Sequence, residues 1–339
     1  MTEARDEQFM RRALALAERG WGQTSPNPMV GAVVVRNGEV VGEGWHERYG
    51  EAHAETNALA QAGDAARGAT LYVTLEPCNH TGKTPPCARA VVAAKIARVV
   101  IATRDPGPDS GGGAETLSAA GIDVEIGLLE PEARELNAPF FHAFVSDRPW
   151  VTLKLALSID GAIADSKRGR AWLTNEESRA EVHRIRANVD AIAVGATTYA
   201  TDHPALTVRG SIQPRVAPVR VVFDPDAKLS AGRTSVLEEV DSATFVRVAD
   251  LAASLRALRA RGIRSLLVEG GASLASALLD AELVDRLVIF QAPIVLGGGA
   301  LAAFSSTSPR RAENVRRIPV LGRRSFGDDL MTIYALHAV

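Results

Sequence analysis

The sequence predicts two α/β domains in tandem. Apolar, β-branched runs alternate with helical patterns along the whole chain. A polar, proline-containing segment, Ser146-Asp147-Arg148-Pro149, separates two such patterned regions. A length of 339 residues with 46% hydrophobic content suffices for two cores of ordinary domain size. The domains are placed at residues 1–146 and 147–339.

In the first region a helix is expected from about Asp6 to Arg19, where Phe9, Ala13, Leu16 and Ala17 share a face and Gly20 ends it. Val30–Arg36 and Glu39–Trp45 read as strands joined by Asn37-Gly38, a dipeptide that supplies the positive φ angles of a tight hairpin. Glu51–Ala62 reads as a helix with His53 and Glu55 in its first turn, and Ala69–Leu75 as a strand. Pro86 suits the first position of a helix through Lys95. Cys87 then sits at the positive end of the helix dipole, which favours a thiolate. Arg98–Thr103 and Asp123–Ile126 are further strands, giving a three-layer α/β domain. The second region opens with a strand at Trp150–Ser158. Helices are expected at Asn175–Asn188, Ala249–Arg261 and Ser273–Ala281. Strands are expected at Ala191–Val194, Val219–Phe223, Ser265–Val268, Arg286–Gln291 and Leu330–Ala335.

The formal net charge of −2 gives no broad basic field for nucleic acid or an anionic membrane. Two cysteines in so long a chain make no disulfide framework, so a reducing cytosol is the expected setting. Met1–Glu7 lacks the apolar stretch of a signal peptide, and no run of about 18 apolar residues predicts a membrane span.

Both cysteines fall in one stretch, Glu76-Pro77-Cys78-Asn79-His80-Thr81-Gly82-Lys83-Thr84-Pro85-Pro86-Cys87, with His53-Ala54-Glu55 upstream. This reads as a zinc deaminase site: one imidazole (His53) and two thiolates (Cys78, Cys87) on the metal, and a carboxylate (Glu55) that is not a ligand. Three protein ligands leave a fourth position for water, whose pKa zinc brings toward neutrality. The carboxylate carries the proton from that water to the departing ammonia. Two cysteines could instead be small buried hydrophobes. The prolines around them argue against core strand or helix positions.

On these motifs and the second α/β domain, the whole chain resembles the bifunctional deaminase–reductase family of riboflavin biosynthesis. The resemblance implies a cytidine-deaminase-like α/β/α domain followed by a dihydrofolate-reductase-like α/β domain. It implies zinc-dependent removal of the 2-amino group of 2,5-diamino-6-ribosylamino-4(3H)-pyrimidinone 5′-phosphate, then NADPH-dependent reduction of the ribosyl group to ribityl. It also implies a homo-oligomer. No Gly-x-Gly-x-x-Gly fingerprint is present, which agrees with a non-Rossmann cofactor site.

By the same resemblance, Asn27 of Ser25-Pro26-Asn27-Pro28 meets the pyrimidine, and His46, His80 and Lys83 hold the substrate phosphate. In the second domain Lys154, Arg170, Arg186, Leu206, Arg209 and Glu269 face the substrate. Ala156, Trp172, Thr198, Asp202, Gly270 and Gly271 face the cofactor, the two glycines letting backbone N–H groups approach a pyrophosphate at a helix start. The chain departs from the family at Arg170, where serine is usual, and at Asp224-Pro225, where an Asp-Ser pair is usual. Pro225 removes a hydroxyl and an N–H. Two other readings stay open: a nucleic-acid base deaminase, which the zinc motif alone permits, and a single-function nucleotide deaminase with an inactive reductase-like domain.

Overall fold

The computed structural model describes residues 2–80, 85–168, 171–224, 229, 237–240, 243–246, 250–304, 307–309, 311, 313, 315 and 317–339. The chain divides into two compact units, Met1–Val145 with Val339, and Ser146–Ala338.

In the first unit the elements run α1 (Thr2–Ala17), β1 (Gly31–Arg36), β2 (Glu39–Trp45), α2 (Ala54–Ala62), β3 (Thr70–Val73), α3 (Cys87–Ala93), β4 (Arg98–Ile101), α4 (Gly113–Ala119), β5 (Asp123–Ile126), α5 (Glu130–Leu136) and α6 (Ala138–Val145). Five strands form one sheet in the order β2-β1-β3-β4-β5. β1 is antiparallel to both β2 and β3, while β3, β4 and β5 are parallel. Alternating strand residues feed two cores. Ala32, Val34, Leu71, Val73, Val99 and Ile101 pack with residues of α2, α3 and α4 on one face. Val33, Val35, Tyr72 and Val100 pack with Phe9, Met10, Ala13 and Ala133, from α1 and α5, on the other. The result is the expected α/β/α sandwich. The Asn37-Gly38 turn has φ of 52° and 80°, as a tight hairpin demands.

Two expected boundaries shift at the site. Residues 51–53 are not helical, because α2 begins at Ala54 with His53 in extended geometry as its N-cap. Pro86 is the N-cap of α3 rather than its first residue, and the helix stops at Ala93. Cys87 still opens it.

The second unit comprises β6 (Trp150–Leu157), β7 (Ala162–Ala164), α7 (Glu176–Arg186), β8 (Ala191–Gly195), α8 (Ala196–Asp202), β9 (Val219–Phe223), β10 (Leu237–Val240), β11 (Ala243–Val246), α9 (Leu251–Ala260), β12 (Ser265–Val268), α10 (Ala272–Asp280), β13 (Arg286–Gln291), β14 (Leu301–Ala302), β15 (Val320–Phe326) and β16 (Asp329–Ala335). Its main sheet is ordered β10-β11-β9-β8-β12-β6-β13-β16-β15. The strands from β11 to β13 in that order run parallel, and both ends of the sheet are antiparallel. β6 shows why a site forms here. Val151, Leu153, Leu155 and Leu157 enter the core with α9 and α10. The intervening Lys154 and Ala156 face a cleft on the other side. Helix starts follow sequence chemistry: Asn175 Oδ1 accepts the Ser178 N–H at 2.9 Å and Asp250 Oδ1 the Ala253 N–H at 3.1 Å. No helix among the described residues is long and apolar enough to cross a membrane.

Candidate active sites

In the first unit three ligand-type atoms converge. Glycines in β2 let α2 lie against the sheet: a Cβ on Gly44 would stand 2.4 Å from the Ala54 carbonyl oxygen, and one on Gly42 2.3 Å from that of Ala58. This brings His53, at the start of α2, to Cys78, which follows β3, and to Cys87, which opens α3. His53 Nδ1 lies 3.6 Å from Cys78 Sγ and 3.3 Å from Cys87 Sγ, and the Cys87 N–H donates to Cys78 Sγ at 3.4 Å. All three candidate ligand atoms fall within 4.8 Å of one another. Zinc bonds of about 2.3 Å to sulfur and about 2.0 Å to nitrogen at a tetrahedral angle place the two atoms about 3.5 Å apart. The donor set therefore fits zinc in both chemistry and spacing. The Cys87 thiol, and then His53, hold Cys78 down to about 4, so that it is a thiolate at neutral pH. The Cys78 sulfur and burial push Cys87 up. The Cys78 sulfur also raises His53. A single thiolate is thus shared across the cluster, and a dication would draw off the remaining proton.

Glu55 stands in the first turn of α2, only 3% exposed. Burial pushes its carboxyl up to about 7, while the nearby His53 opposes the shift. A carboxyl poised near neutrality can both take and give a proton.

A cleft of about 480 Å³ opens beside these groups, and Asn27, His46 and His80 line it. Asn27 Nδ2 lies 3.3 Å from His46 Nε2, and His46 Nδ1 lies 3.1 Å from the Ala52 carbonyl. The carbonyl can only accept, so Nδ1 carries the ring proton and Nε2 accepts from the Asn27 amide. Burial lowers the His46 pKa, which keeps the ring neutral. Lys83 lies outside the described residues. The cleft also contains groups the sequence reading leaves without a role: Asp105, whose carboxyl burial pushes up, and the ring pair Phe140 and Phe144, centroids 5.3 Å apart. Asp105-Pro106-Gly107 carries a turn signal after β4, but nothing local says that it faces the cleft.

A cleft of about 690 Å³ in the second unit collects Lys154, Ala156, Trp172, Arg186, Leu206, Arg209 and Glu269. Arg186 and Glu269 form a two-pronged ion pair, Nε–Oε1 2.5 Å and Nη2–Oε2 2.7 Å. Arg186 also donates to the Thr207 carbonyl at 2.9 Å. Burial pushes the Glu269 carboxyl up, but Arg186 overrides it and the net shift is down. Burial lowers Lys154, against the pull of Glu269. His183, which the sequence reading omits, lines the same cleft one helical turn before Arg186 and accepts the Arg209 N–H at 3.1 Å through Nδ1. The glycine turn before α10 lies against the start of α8, since a Cβ on Gly271 would meet Thr198 Oγ1 at 2.9 Å. Gly270 precedes it, and Asp202 closes α8. Thr198 and Gly271 thus meet at the carboxyl ends of the neighbouring strands β8 and β12, the usual ligand crevice of an open parallel sheet. Arg170 and Pro225 lie outside the described residues. Asp224 is fully buried and accepts the Leu229 N–H at 3.1 Å.

An α/β/α sheet bearing a His/Cys/Cys cluster beside a buried glutamate defines the class of zinc-dependent deaminases, here with a second α/β unit that carries its own ligand cleft. Residues 3–103 match the family described as cytidine and deoxycytidylate deaminase zinc-binding region, and residues 149–330 match the RibD C-terminal domain. The chain is 39% identical to the riboflavin biosynthesis protein RibD of Aquifex aeolicus over 97% of this chain and 98% of that one. It is 40% identical to the RibD of Escherichia coli, with 87% and 89% covered. A Thermotoga maritima crystal structure, described as a diaminohydroxyphosphoribosylaminopyrimidine deaminase/5-amino-6-(5-phosphoribosylamino)uracil reductase, superposes with a TM-score of 0.87 at 35% identity, covering 99% of each chain. The chain belongs to the RibD family of riboflavin biosynthesis, bifunctional enzymes that join a zinc-binding deaminase domain to an NADPH-using reductase domain.

Proposed function

We propose that this chain deaminates a diaminopyrimidinone ribonucleotide 5′-phosphate with residues 1–146 and reduces the ribosyl chain of the product to ribityl with residues 147–339. The observation that carries the reading is the convergence of His53, Cys78 and Cys87 beside Glu55, in the same chain as the Lys154–Arg186–Glu269 cleft. His53, Cys78 and Cys87 are the zinc ligands. When bound there, zinc supplies a Lewis acid that lets water yield hydroxide near neutral pH. Glu55 takes the proton released by the attacking water and returns it to the departing amine. Asn27 presents an amide to the pyrimidinone edge, with one N–H committed to His46. His80 and Lys83 supply donors for the phosphate, and His46 completes that side of the cleft.

In the second domain NADPH supplies the hydride, and the protein's contribution is orientation. Arg209 and Lys154 hold the phosphorylated sugar chain with Leu206 and the Arg186–Glu269 pair, and Arg170 joins them. Ala156, Trp172, Thr198, Asp202, Gly270 and Gly271 form the cofactor side. The enzyme works on a small molecule in the cytoplasm as a homo-oligomer, without nucleic acid or membrane; the net charge of −2 supports the exclusion of a polyanionic partner.

One coupled assay on the full chain tests this, with ammonia release and NADPH oxidation followed on the pyrimidinone nucleotide. Both signals are expected, in sequence. Ammonia without NADPH oxidation would leave a single-function deaminase, and neither signal would overturn the reading.

A further inference from the structure

Asn27, Pro28 and Val30 line the deaminase cleft, yet residues 27–30 belong to no helix or strand. Their shape must come from elsewhere. The Asn27 N–H donates to the Thr24 carbonyl at 2.9 Å, and the Val30 carbonyl accepts the His46 N–H at 2.9 Å. Met29, in the middle, is 4% exposed, so its backbone groups have little water to bond. One side chain meets both. The Met29 N–H donates to Asn137 Oδ1 at 2.8 Å, and Asn137 Nδ2 donates to the Met29 carbonyl at 2.8 Å. Asn137 is 5% exposed and comes from 108 residues away. It stands between α5 and α6, and its own carbonyl accepts the Phe140 N–H at 2.9 Å and the Phe141 N–H at 3.2 Å. Phe140 and Phe144 of α6 line the same cleft. One carboxamide therefore joins the irregular segment that carries Asn27 to the helix that carries the aromatic wall. A carboxamide can match a peptide's donor and acceptor together, whereas a carboxylate only accepts and a leucine does neither.

We propose that Asn137 is a positioning residue of the deaminase: it fixes Asn27 against the Phe140/Phe144 wall, so that the pyrimidine enters a slot of preset width. This rests on the reading of the cleft as the deaminase site with Asn27 on the ring. Preset geometry is what an orienting residue contributes, and its loss shows in substrate capture before it shows in metal content.

The test uses the full chain with Asn137→Asp, Asn137→Leu, Asn27→Ala and the two double variants. Ammonia release from the pyrimidinone nucleotide gives KM and kcat, elemental analysis gives zinc, and NADPH oxidation on the deaminated intermediate reports the other domain. Each Asn137 substitution is expected to raise KM about tenfold with zinc and NADPH oxidation unchanged, and to cost less than about twofold once Asn27 is alanine. A full penalty persisting in the Asn27→Ala background would overturn the proposal, as would parental KM in both single variants or loss of zinc from both. If leucine alone strips the zinc, the isosteric aspartate decides. A parent chain that releases no ammonia would overturn the deaminase reading and this inference with it. A parent that does, with variants matching its KM, overturns this inference alone.

Discussion

Charged groups are held out of water differently in the two units. In the first, His53, two sulfurs and the 3%-exposed Glu55 crowd one another without a neighbouring arginine or lysine among the described cleft residues, so their protonation is frustrated. Glu55 is pushed up to about 7, Cys78 down to about 4, and Cys87 up. In the second, Glu269 is largely but less completely withdrawn, its side chain 13% exposed, and it already holds Arg186, with Lys154 near enough to favour its charge. Among the described residues the first cluster has no cationic side chain beside it and its donor set fits a metal ion, whereas the second site is charge-compensated by its own side chains. Metal removal and pair-breaking should therefore act on the two halves independently.

The sharpest break is at the ligands. A Cys78→Ala/Cys87→Ala double variant should lose zinc and all ammonia release while NADPH oxidation on the deaminated intermediate continues. Elemental analysis with the two assays checks this, and full zinc retention would remove these residues from the site. Next is Glu55→Gln, which keeps the size and hydrogen-bonding reach of the group but cannot take the proton. Ammonia release should fall by about 10²- to 10⁴-fold with zinc retained. Near-parental turnover would show that Glu55 is a packed carboxyl and nothing more.

The same contrast governs how much of each site is legible in the sequence. The candidate metal cluster is legible because Cys78 and Cys87 share one short motif and His53 and Glu55 another. The strands Val219–Phe223, Ser265–Val268 and Arg286–Gln291 coincide with their apolar, β-branched runs. β15 is not legible, since Val320–Phe326 contains Gly322, Arg323, Arg324 and Ser325 and is mostly exposed on both faces. α8 escapes notice because none of its residues is buried and no apolar stripe marks it. Arg186 and Glu269 each resemble substrate contacts, but their mutual pairing spans 83 residues, and only the fold, which brings the end of α7 beside the residue that follows β12, reveals it. Asn137 is invisible for the same reason.

Breaking that pair probes the compensated half. Arg186→Met leaves Glu269 largely buried with Lys154 as a remaining cationic neighbour. The cost should be about 3 kcal/mol of stability, the low end for one lost partner of a buried pair, because Lys154 persists. Urea unfolding of the full chain should show the second unit's transition moving to lower urea while zinc content and ammonia release are kept. Arg186→Met with Glu269→Leu should recover most of the stability without recovering NADPH oxidation. A single variant as stable as the parent would mean that the pair is not buried in solution.

A smaller effect than that of breaking the ion pair is expected at Lys83, in the insert between the two cysteines. Its proposed task is different in kind from that of the ligands: it contributes a cation to the substrate, not to the site. A charge-assisted contact to phosphate is worth about 1.5–3 kcal/mol, or about one to two orders of magnitude in affinity. Lys83→Ala should therefore raise KM for ammonia release by that factor, leave zinc in place and leave the reductase untouched. Salt should weaken the parent's substrate binding more than the variant's, because the contact is electrostatic. The decisive comparison is with substrate lacking its phosphate, for which parent and variant should converge. If the variant loses as much on the dephosphorylated substrate as on the nucleotide, Lys83 is not the phosphate contact, and the phosphate must be held by His80 and its neighbours instead.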